Sequence, residues 1–339
     1  MRVLLAGGAG YIGAHTAVSL LDAGHEVVLL DDLSGTSAIA AERVETITRK
    51  SAPLVVGDAA DDEVVERVFA DHGPIDAIIH LAAFKAVGES TQKPLEYYSN
   101  NVDTTFALLR VGLENGIRSF VFSSTGTVYS DPADLPFTEE STTSIDLSNA
   151  YSKSKRINEV VLADVARVHP ELNVTVLRYF NPVGAHPSGL IGEDPAGIPN
   201  NLMPFVARVA VGKLEKIGVF GDDYDTPDGT GLRDYIHVVD LAEGHVTALE
   251  QAQPGYVVYN LGTGKPVSVL ELIASFERAA GHELPKQILD RRPGDVAATY
   301  CDPSKAEREL GWTARLTIDD SCRDYWNWQS RNPDGYQTT

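Results

Sequence analysis

A glycine-rich turn near the start of the chain constrains its fold more than any other feature. The apolar run Arg2–Ala6 leads into GGAGYIG, and an amphipathic stretch follows to about Ala23. The glycines of this turn are Gly7, Gly8, Gly10 and Gly13. Their spacing satisfies both G-x-G-x-x-G and G-x-x-G-x-x-G, and glycine lets a backbone approach a pyrophosphate at a helix N-terminus. The segment therefore predicts a strand, a tight turn and a helix that together bind a dinucleotide.

An aspartate after the second apolar run indicates which dinucleotide is bound. Asp31 follows Gly13 by 18 residues and directly follows the run at 26–30. A carboxylate at this position accepts hydrogen bonds from a ribose diol and repels a 2′-phosphate. No arginine follows in the segment DDLSGT. The sequence therefore favours NAD over NADP.

Further apolar runs extend the same pattern through the first half of the chain. They lie at 54–56, 77–81, 119–122 and 174–179, with helical stretches between them. Apolar runs separated by helices are typical of a parallel sheet covered on both faces. We therefore predict an α/β fold with a doubly wound, Rossmann-type parallel sheet. Asp58, just after the third run, either accepts a hydrogen bond from an adenine amino group or caps the next helix.

The composition of the chain changes after residue 181. The stretch 182–204 is rich in Gly, Pro and Asn and is predicted to be a long, ordered, functional loop. We expect an NAD-binding domain at 1–181, rejoined by about 235–262, where a helix is predicted over 235–250. Residues 182–339 are expected to form a smaller C-terminal α/β domain that binds the substrate.

Composition excludes several classes of function. The net charge of −20 argues against nucleic acid as a partner, because phosphate binding requires a basic surface. No apolar run approaches the roughly 20 residues of a membrane span, and the first residues lack the pattern of a signal peptide. Two cysteines without redox or metal spacing favour a cytoplasmic protein. The nine histidines form no ligand motif, so no metal is expected.

Two local patterns point to the reacting groups. Tyr151 and Lys155 form Y-x-x-x-K, which places both side chains on one face of a helix. An ammonium beside a phenol lowers the phenol's pKa and makes it a candidate general base. Ser123, Ser124 and Thr125 end the fifth apolar run. They are either turn-forming hydroxyls or hydroxyls at the ligand-binding edge of the sheet.

Taken together, these motifs resemble the extended short-chain dehydrogenase/reductase superfamily, and within it the UDP-galactose (UDP-glucose) 4-epimerase family. The family's signatures are similar to KAVGESTQKPLEYYSNNV, RYFNPVGAHPSG, GEDPAGIPNNLMP and DGTGLRDYIHVVDLAEGH, and the match covers nearly the whole chain. The resemblance implies that Tyr151 takes the proton from the sugar's 4-hydroxyl while the hydride at C4 passes to tightly bound NAD. The 4-keto sugar then rotates and receives the hydride on its opposite face.

The resemblance and the motifs also imply sets of binding residues. Thr125 would bond the reacting oxygen, and Lys155 would hold the nicotinamide ribose. The cofactor set is Gly7, Gly10, Tyr11, Ile12, Gly13, Asp31, Asp32, Leu33, Ser34, Asp58, Ala59, Leu81, Ala82, Ala83, Lys85, Asn100, Ser124, Tyr151, Lys155 and Phe180. The substrate set is Lys85, Thr125, Tyr151, Phe180, Asn181, Asn201, Leu202, Val219, Phe220, Arg233, Arg292, Asp295 and Thr299.

Some alternatives remain open. Thr299 matches a family gate at which a small residue goes with use of N-acetyl sugars, so UDP-N-acetylglucosamine is a further candidate substrate. Other UDP-sugar epimerases fit the sequence nearly as well. A nucleotide-sugar 4,6-dehydratase fits less well, because Gly126 and Thr127 stand where Asp-Glu is usual. A non-catalytic NAD-sensing regulator would not need Tyr151, Lys155 and the hydroxyl together. The resemblance finally implies a homodimer joined by helices at 95–115 and 152–169.

Overall fold

The computed structural model describes residues 1–195, 197, 199, 201–292 and 294–337. Its strands are β1 (Arg2–Ala6), β2 (Glu26–Asp31), β3 (Leu54–Val56), β4 (Ala77–His80), β5 (Ser119–Thr125), β6 (Asn173–Tyr179), β7 (Asn181–Val183), β8 (Ile217–Phe220), β9 (Leu232–Arg233), β10 (Tyr235–His237), β11 (Gly255–Leu261), β12 (Val267–Ser268), β13 (Lys286–Leu289) and β14 (Ala298–Thr299). Its α-helices are α1 (Tyr11–Asp22), α2 (Ile39–Thr48), α3 (Asp62–His72), α4 (Val87–Ser90), α5 (Pro94–Tyr98), α6 (Thr104–Glu114), α7 (Ala150–Val168), α8 (Leu202–Ala210), α9 (Val238–Glu250), α10 (Val269–Ala280), α11 (Ser304–Leu310) and α12 (Ile318–Arg331).

The central sheet confirms the predicted doubly wound fold. Seven strands lie in the order β11-β6-β5-β4-β1-β2-β3, and each neighbouring pair is parallel. Successive residues of a strand point to opposite faces. Val3 and Leu5 accordingly pack with α1, α2 and α9, whereas Leu4 packs with α3, α6 and α7. Both faces are therefore covered, which explains why the strands are continuous apolar runs.

The strand β5 is longer than the sequence predicts. It continues through Ser123, Ser124 and Thr125, which pair in register with residues of β6. All three hydroxyl residues are buried. Thr125 also accepts a hydrogen bond from the Thr127 backbone N–H and caps the short 3₁₀ turn that follows. All three residues thus belong to the strand, and Thr125 also caps the turn that ends it.

Two predicted helices are interrupted or shortened. The helix predicted over 235–250 begins as strand β10, which pairs with β7, and only then continues as α9. The helix predicted over 95–115 is divided by a π-helical turn at Ser99–Asp103 into α5 and α6. In the first case the strand forms because a distant segment supplies its hydrogen-bond partner, which local sequence does not show.

The C-terminal part of the chain forms its own small core. Helices α8, α10 and α12 pack together with the paired strands β8 and β13, around Val206, Ile217, Phe276, Tyr325 and Trp328. The chain returns to the central sheet between these segments, because β11 pairs with β6. Within the described residues, no helix combines the length and apolarity that crossing a membrane requires.

Candidate functional site

A cavity of about 700 Å³ opens at the carboxyl ends of the central strands. Thr125 and Tyr179, the last residues of β5 and β6, line it. Its opposite wall comes from the C-terminal part, through residues such as Arg233 and Phe220. Open parallel sheets bind ligands at this edge. The cavity therefore lies where both halves of the chain can hold one ligand.

The glycine turn leads into one end of this cavity. Gly7 has a φ of +81°, and a Cβ added to it would lie 2.6 Å from the Ala82 backbone nitrogen. A Cβ added to Gly13 would overlap the Gly7 carbonyl oxygen. Helix α1 begins after Gly10 with no side-chain cap and no acidic residue in its first turn. Tyr11 and Ile12 then line the cavity, so the uncapped N-terminus of α1 faces it.

Asp31 is held beside the glycine turn by backbone groups. Its two carboxylate oxygens accept hydrogen bonds of 3.0 Å each, one from the Ala9 N–H and one from the Leu33 N–H. The side chain is nearly buried, and that burial raises its pKa. Each carboxylate oxygen can accept more than one hydrogen bond. Asp31 therefore keeps acceptor capacity, and its contact with a ribose diol stays a prediction.

The predicted Tyr–Lys pair lies on α7 against the end of β5. Asn149 caps this helix by accepting a hydrogen bond from the Ser152 N–H. The Lys155 ammonium donates a 2.7 Å hydrogen bond to the Ser123 carbonyl oxygen. Tyr151, Lys155 and Thr125 all line the cavity. The structure thus brings the three predicted reacting groups together.

The electrostatics of this pair differ from the sequence-based expectation. Burial lowers the pKa of Lys155 from its ordinary 10.5 to about 7, and Glu159 only partly opposes this shift. Burial also raises the pKa of Tyr151, and the group that lowers it is the Thr125 hydroxyl rather than Lys155. The lowered pKa of Lys155 arises because a buried ammonium is itself destabilised. Thr125 therefore joins the groups that tune the pKa of Tyr151.

Most of the remaining predicted residues line the cavity. They are Tyr11, Ile12, Leu81, Ala83, Lys85, Ser124, Phe180, Asn181, Asn201, Leu202, Phe220, Arg233, Arg292 and Asp295. The glycines, Asp31, Asp32, Leu33, Ser34, Ala59 and Ala82 lie outside this lining. Asp58 accepts a hydrogen bond from the Ala60 N–H, and the residue that caps α3 is Asp61.

Three predicted contacts are placed differently. Val219 is fully buried in the C-terminal core, while its neighbours Gly218 and Phe220 line the cavity, as alternation along β8 requires. The Asn100 side chain donates to Asn101 and is not part of the lining. Thr299 lies in β14, where it pairs with Arg233 of β9, and it is likewise not part of the lining. The side chain of Val219 therefore cannot form the uracil slot.

Sequence reasoning misses a buried carboxylate in the cavity wall. Glu193 is 5% exposed, and it accepts hydrogen bonds from Lys85 at 3.2 Å and Asn201 at 3.5 Å. Its backbone carbonyl accepts a hydrogen bond from Tyr325. Nothing in the loop sequence marks this residue, because an acidic residue among Gly and Pro is usually solvated. Burial of Glu193 depends on packing against α12.

Substituting Thr125 tests the assigned role of its hydroxyl. We expect Thr125→Val to lower kcat by about 100-fold, because it removes the hydroxyl that lowers the pKa of Tyr151 and keeps the side-chain shape. Thr125→Ser keeps the hydroxyl and should retain most of the activity. Steady-state kinetics on UDP-galactose measure both. A fully active valine variant would assign the hydroxyl to turn formation alone.

Comparison with known proteins shows the family of the chain. The model of the NAD dependent epimerase/dehydratase family matches residues 3–262. A UDP-glucose 4-epimerase of Bacillus subtilis (strain 168) is 53% identical, with 100% of this chain and 99% of that protein covered. A UDP-glucose 4-epimerase of Caenorhabditis elegans is 47% identical, with 99% of each covered.

Solved structures give the same result. The crystal structure of UDP-glucose 4-epimerase from Bifidobacterium longum in complex with NAD+ and UDP superimposes with a TM-score of 0.95. The two chains are 53% identical, and the match covers 99% of this chain and 100% of that one. The glycine turn, the Tyr–Lys pair and the full-length similarity lead to one conclusion: this chain belongs to the NAD-dependent epimerase/dehydratase family and resembles its UDP-glucose 4-epimerases.

Proposed function

We propose that the chain interconverts UDP-galactose and UDP-glucose by oxidation and re-reduction at C4, using tightly bound NAD. One observation carries the proposal. A single cavity is lined by Tyr151 and Lys155 of α7, by Thr125 of β5, and by Arg233 and Arg292 of the C-terminal part. The first group can move a proton at a sugar hydroxyl, and the second can hold a diphosphate.

The residues at the glycine turn fit NAD. A Cβ at Gly7 or Gly13 would collide with backbone atoms of the chain itself, so these glycines allow the tight turn before α1. Helix α1 presents an uncapped N-terminus, and Asp31 keeps acceptor capacity for a ribose diol. These residues would hold the adenosine and pyrophosphate, and Lys155 would hold the nicotinamide ribose. When bound, the cofactor supplies a hydride acceptor and donor at C4 of the sugar.

The chain's own residues manage the proton and the orientation of the sugar. Tyr151 takes the proton of the 4-hydroxyl at its phenol oxygen and returns it after re-reduction. Thr125 donates to the reacting oxygen and limits its movement. Lys155, when protonated, stabilises the Tyr151 phenolate. Reversal of one stereocentre requires the proton to leave the 4-hydroxyl oxygen and later to return to it, and Tyr151 serves in both transfers.

The C-terminal wall is suited to hold the nucleotide while the sugar turns. The Arg292 guanidinium lies 4.7 Å from the Phe220 ring centre and donates a 2.9 Å hydrogen bond to Asp295. Arg233 donates to the Leu232 and Val296 carbonyl oxygens. Planar guanidinium groups of this kind suit phosphate oxygens. An anchor far from C4 leaves the 4-keto sugar free to rotate.

Removing one of these anchors should weaken binding more than chemistry. We expect Arg292→Ala to raise KM for UDP-galactose by about tenfold or more while kcat changes little, because the lost contact exists in ground and transition states alike. Initial rates over a range of substrate concentrations measure both constants. A kcat loss with unchanged KM would place Arg292 at the reacting end instead.

The direct test of the proposal is conversion of UDP-galactose by the purified protein without added NAD. Formation of UDP-glucose supports the epimerase, and retention of cofactor through purification explains activity without addition. No conversion even with NAD added would contradict it and favour an NAD-sensing regulator. A 4-keto-6-deoxy product would indicate a dehydratase. A parallel assay with UDP-N-acetylglucosamine tests whether the chain also acts on N-acetyl sugars.

We further propose a cytoplasmic homodimer. The support is a set of apolar side chains exposed on the helices through which the family resemblance implies a dimer: Leu95 is 79% exposed, Phe106 39% and Val160 42%. Burying such side chains against a second copy removes apolar surface from water. Sedimentation velocity of the purified protein should give twice the chain mass, and a single-chain mass would contradict the proposal.

A further inference from the structure

A fully buried glutamate continues the spacing of the Tyr–Lys pair. Glu159 follows Lys155 by four residues and Tyr151 by eight, and its side chain has no exposed surface. It accepts hydrogen bonds from the Ser124 hydroxyl at 2.6 Å and from the Arg178 guanidinium at 2.9 and 2.7 Å. A buried charge held in this way has a specific geometry that solvated pairs lack.

Three side chains of α7, four residues apart, contact residues at the end of β5. Tyr151 lies beside Thr125, Lys155 donates to the Ser123 carbonyl oxygen, and Glu159 accepts from Ser124. Side chains four residues apart lie above one another on a helix. Side chains from successive turns of α7 therefore contact three adjacent residues of β5, in the order Thr125, Ser123 and Ser124.

We infer that Glu159 is a positioning residue, which fixes the register of α7 on β5 and so holds Tyr151 at the Thr125 hydroxyl and Lys155 at the sheet edge. Glu159 does not line the cavity, so it acts through these residues. The inference rests on the proposed epimerase function. It also assigns a role to Ser124 beyond contact with the cofactor.

Arg178, which holds Glu159, is itself held by further contacts. Arg178 pairs with Ser124 across β5 and β6 and also donates to the Tyr129 hydroxyl at 3.1 Å. Tyr129 in turn donates to the Asn260 side chain on β11 at 2.6 Å. Residues of β5, β6 and β11 thus help to hold Arg178, and Arg178 holds Glu159. A shift of α7 would break the buried hydrogen bonds that Glu159 accepts from Ser124 and Arg178.

Charge gives Glu159 a second effect on the same site. Its carboxylate raises the pKa of Lys155, against the lowering caused by burial. The groups that face Lys155 are the neutral His80 of β4, the Phe122 ring 4.9 Å away, Tyr151 and Glu159 itself. Those that face Glu159 are Ser124, Arg156, Arg178 and Tyr256. A neutral residue at 159 would therefore let Lys155 lose its proton at lower pH.

Glu159→Gln tests both effects in the holoenzyme. We expect kcat for UDP-galactose to fall by about 100-fold with little change in KM, because misplacement of a catalytic group by about 1 Å has an effect of this size. We also expect the basic limb of the kcat–pH profile to move to lower pH. Absorbance of bound cofactor after purification shows whether NAD is retained.

Leu162→Ala provides the matched control. Leu162 lies on the same helix, is fully buried, and packs in the apolar core away from the cavity. It should lower the melting temperature without moving the pH profile. If Glu159→Gln has the same profile and kcat as Leu162→Ala, the role of Glu159 is structural only and the inference is wrong.

A further variant covers the case in which Glu159→Gln does not fold. Glu159→Asp keeps the charge but shortens the side chain, so kcat should fall while the basic limb stays in place. Unchanged kcat in this variant would contradict the positioning role. Inactive wild-type protein would instead contradict the proposed function, so the two failures can be told apart.

Discussion

Tyr151→Phe is expected to lower kcat for UDP-galactose by about 10³-fold. The change removes the phenol oxygen that accepts the sugar proton, and general acid–base groups contribute about 10²–10⁴-fold to enzymatic rates. The ring still fills its place beside Thr125 in the cavity wall. Folding and retention of NAD should therefore change little. Progress curves for UDP-glucose formation, together with the absorbance of bound cofactor, measure these quantities.

A second tyrosine supplies the control for this experiment. Tyr259 is also buried, and its hydroxyl donates to Glu309 at 3.0 Å outside the cavity. Tyr259→Phe removes the same atom and should retain kcat within about threefold, because this hydroxyl lies outside the cavity. The variant should still fold, since a single hydrogen bond contributes only about 1 kcal/mol to stability. A Tyr151→Phe variant with kcat within tenfold of the wild type would show that another group moves the proton.

The largest loss of stability is expected from Arg178→Met. This change leaves Glu159 without its bidentate partner in a fully buried position. Breaking a buried ion pair by removing one partner lowers the free energy of unfolding by about 3–5 kcal/mol. Urea denaturation monitored by circular dichroism should show the loss as a lower midpoint.

Arg110→Met is the matched control for stability. Arg110 also forms two hydrogen bonds with a carboxylate, Asp62, at 2.8 Å each, but the pair is exposed. Exposed pairs contribute about 0–1 kcal/mol. Equal midpoints for the two variants would mean that burial of Glu159 and Arg178 has no energetic importance, and the positioning role would lose its support.

The fold is predictable because its signals are local. The glycine turn and the apolar strands carry their own pattern, and period-two alternation places Leu4 and Leu5 on opposite faces of the sheet. The end of β5 is not predictable in this way. Ser123, Ser124 and Thr125 stay in the strand because β6 and α7 satisfy their polar groups, and both segments lie later in the chain.

The site is predictable where residue type fixes the chemistry and less so where packing does. Tyr151 and Lys155 follow from spacing, and Glu159 continues that spacing, so it could have been found. The buried position of Val219 could not have been predicted, because the C-terminal core decides which face of β8 meets the cavity. The place of Glu193 in the cavity wall could not have been predicted either, because its burial depends on α12.

The proposed reaction transfers hydride from C4 of the sugar and back to C4 within a single site. It is tested most directly with UDP-galactose carrying deuterium at C4, incubated with the purified protein in ordinary water without added NAD. We predict UDP-glucose that retains the deuterium at C4, because the hydride never exchanges with solvent. Product that has lost the label to water, or the absence of any UDP-glucose, would contradict the account.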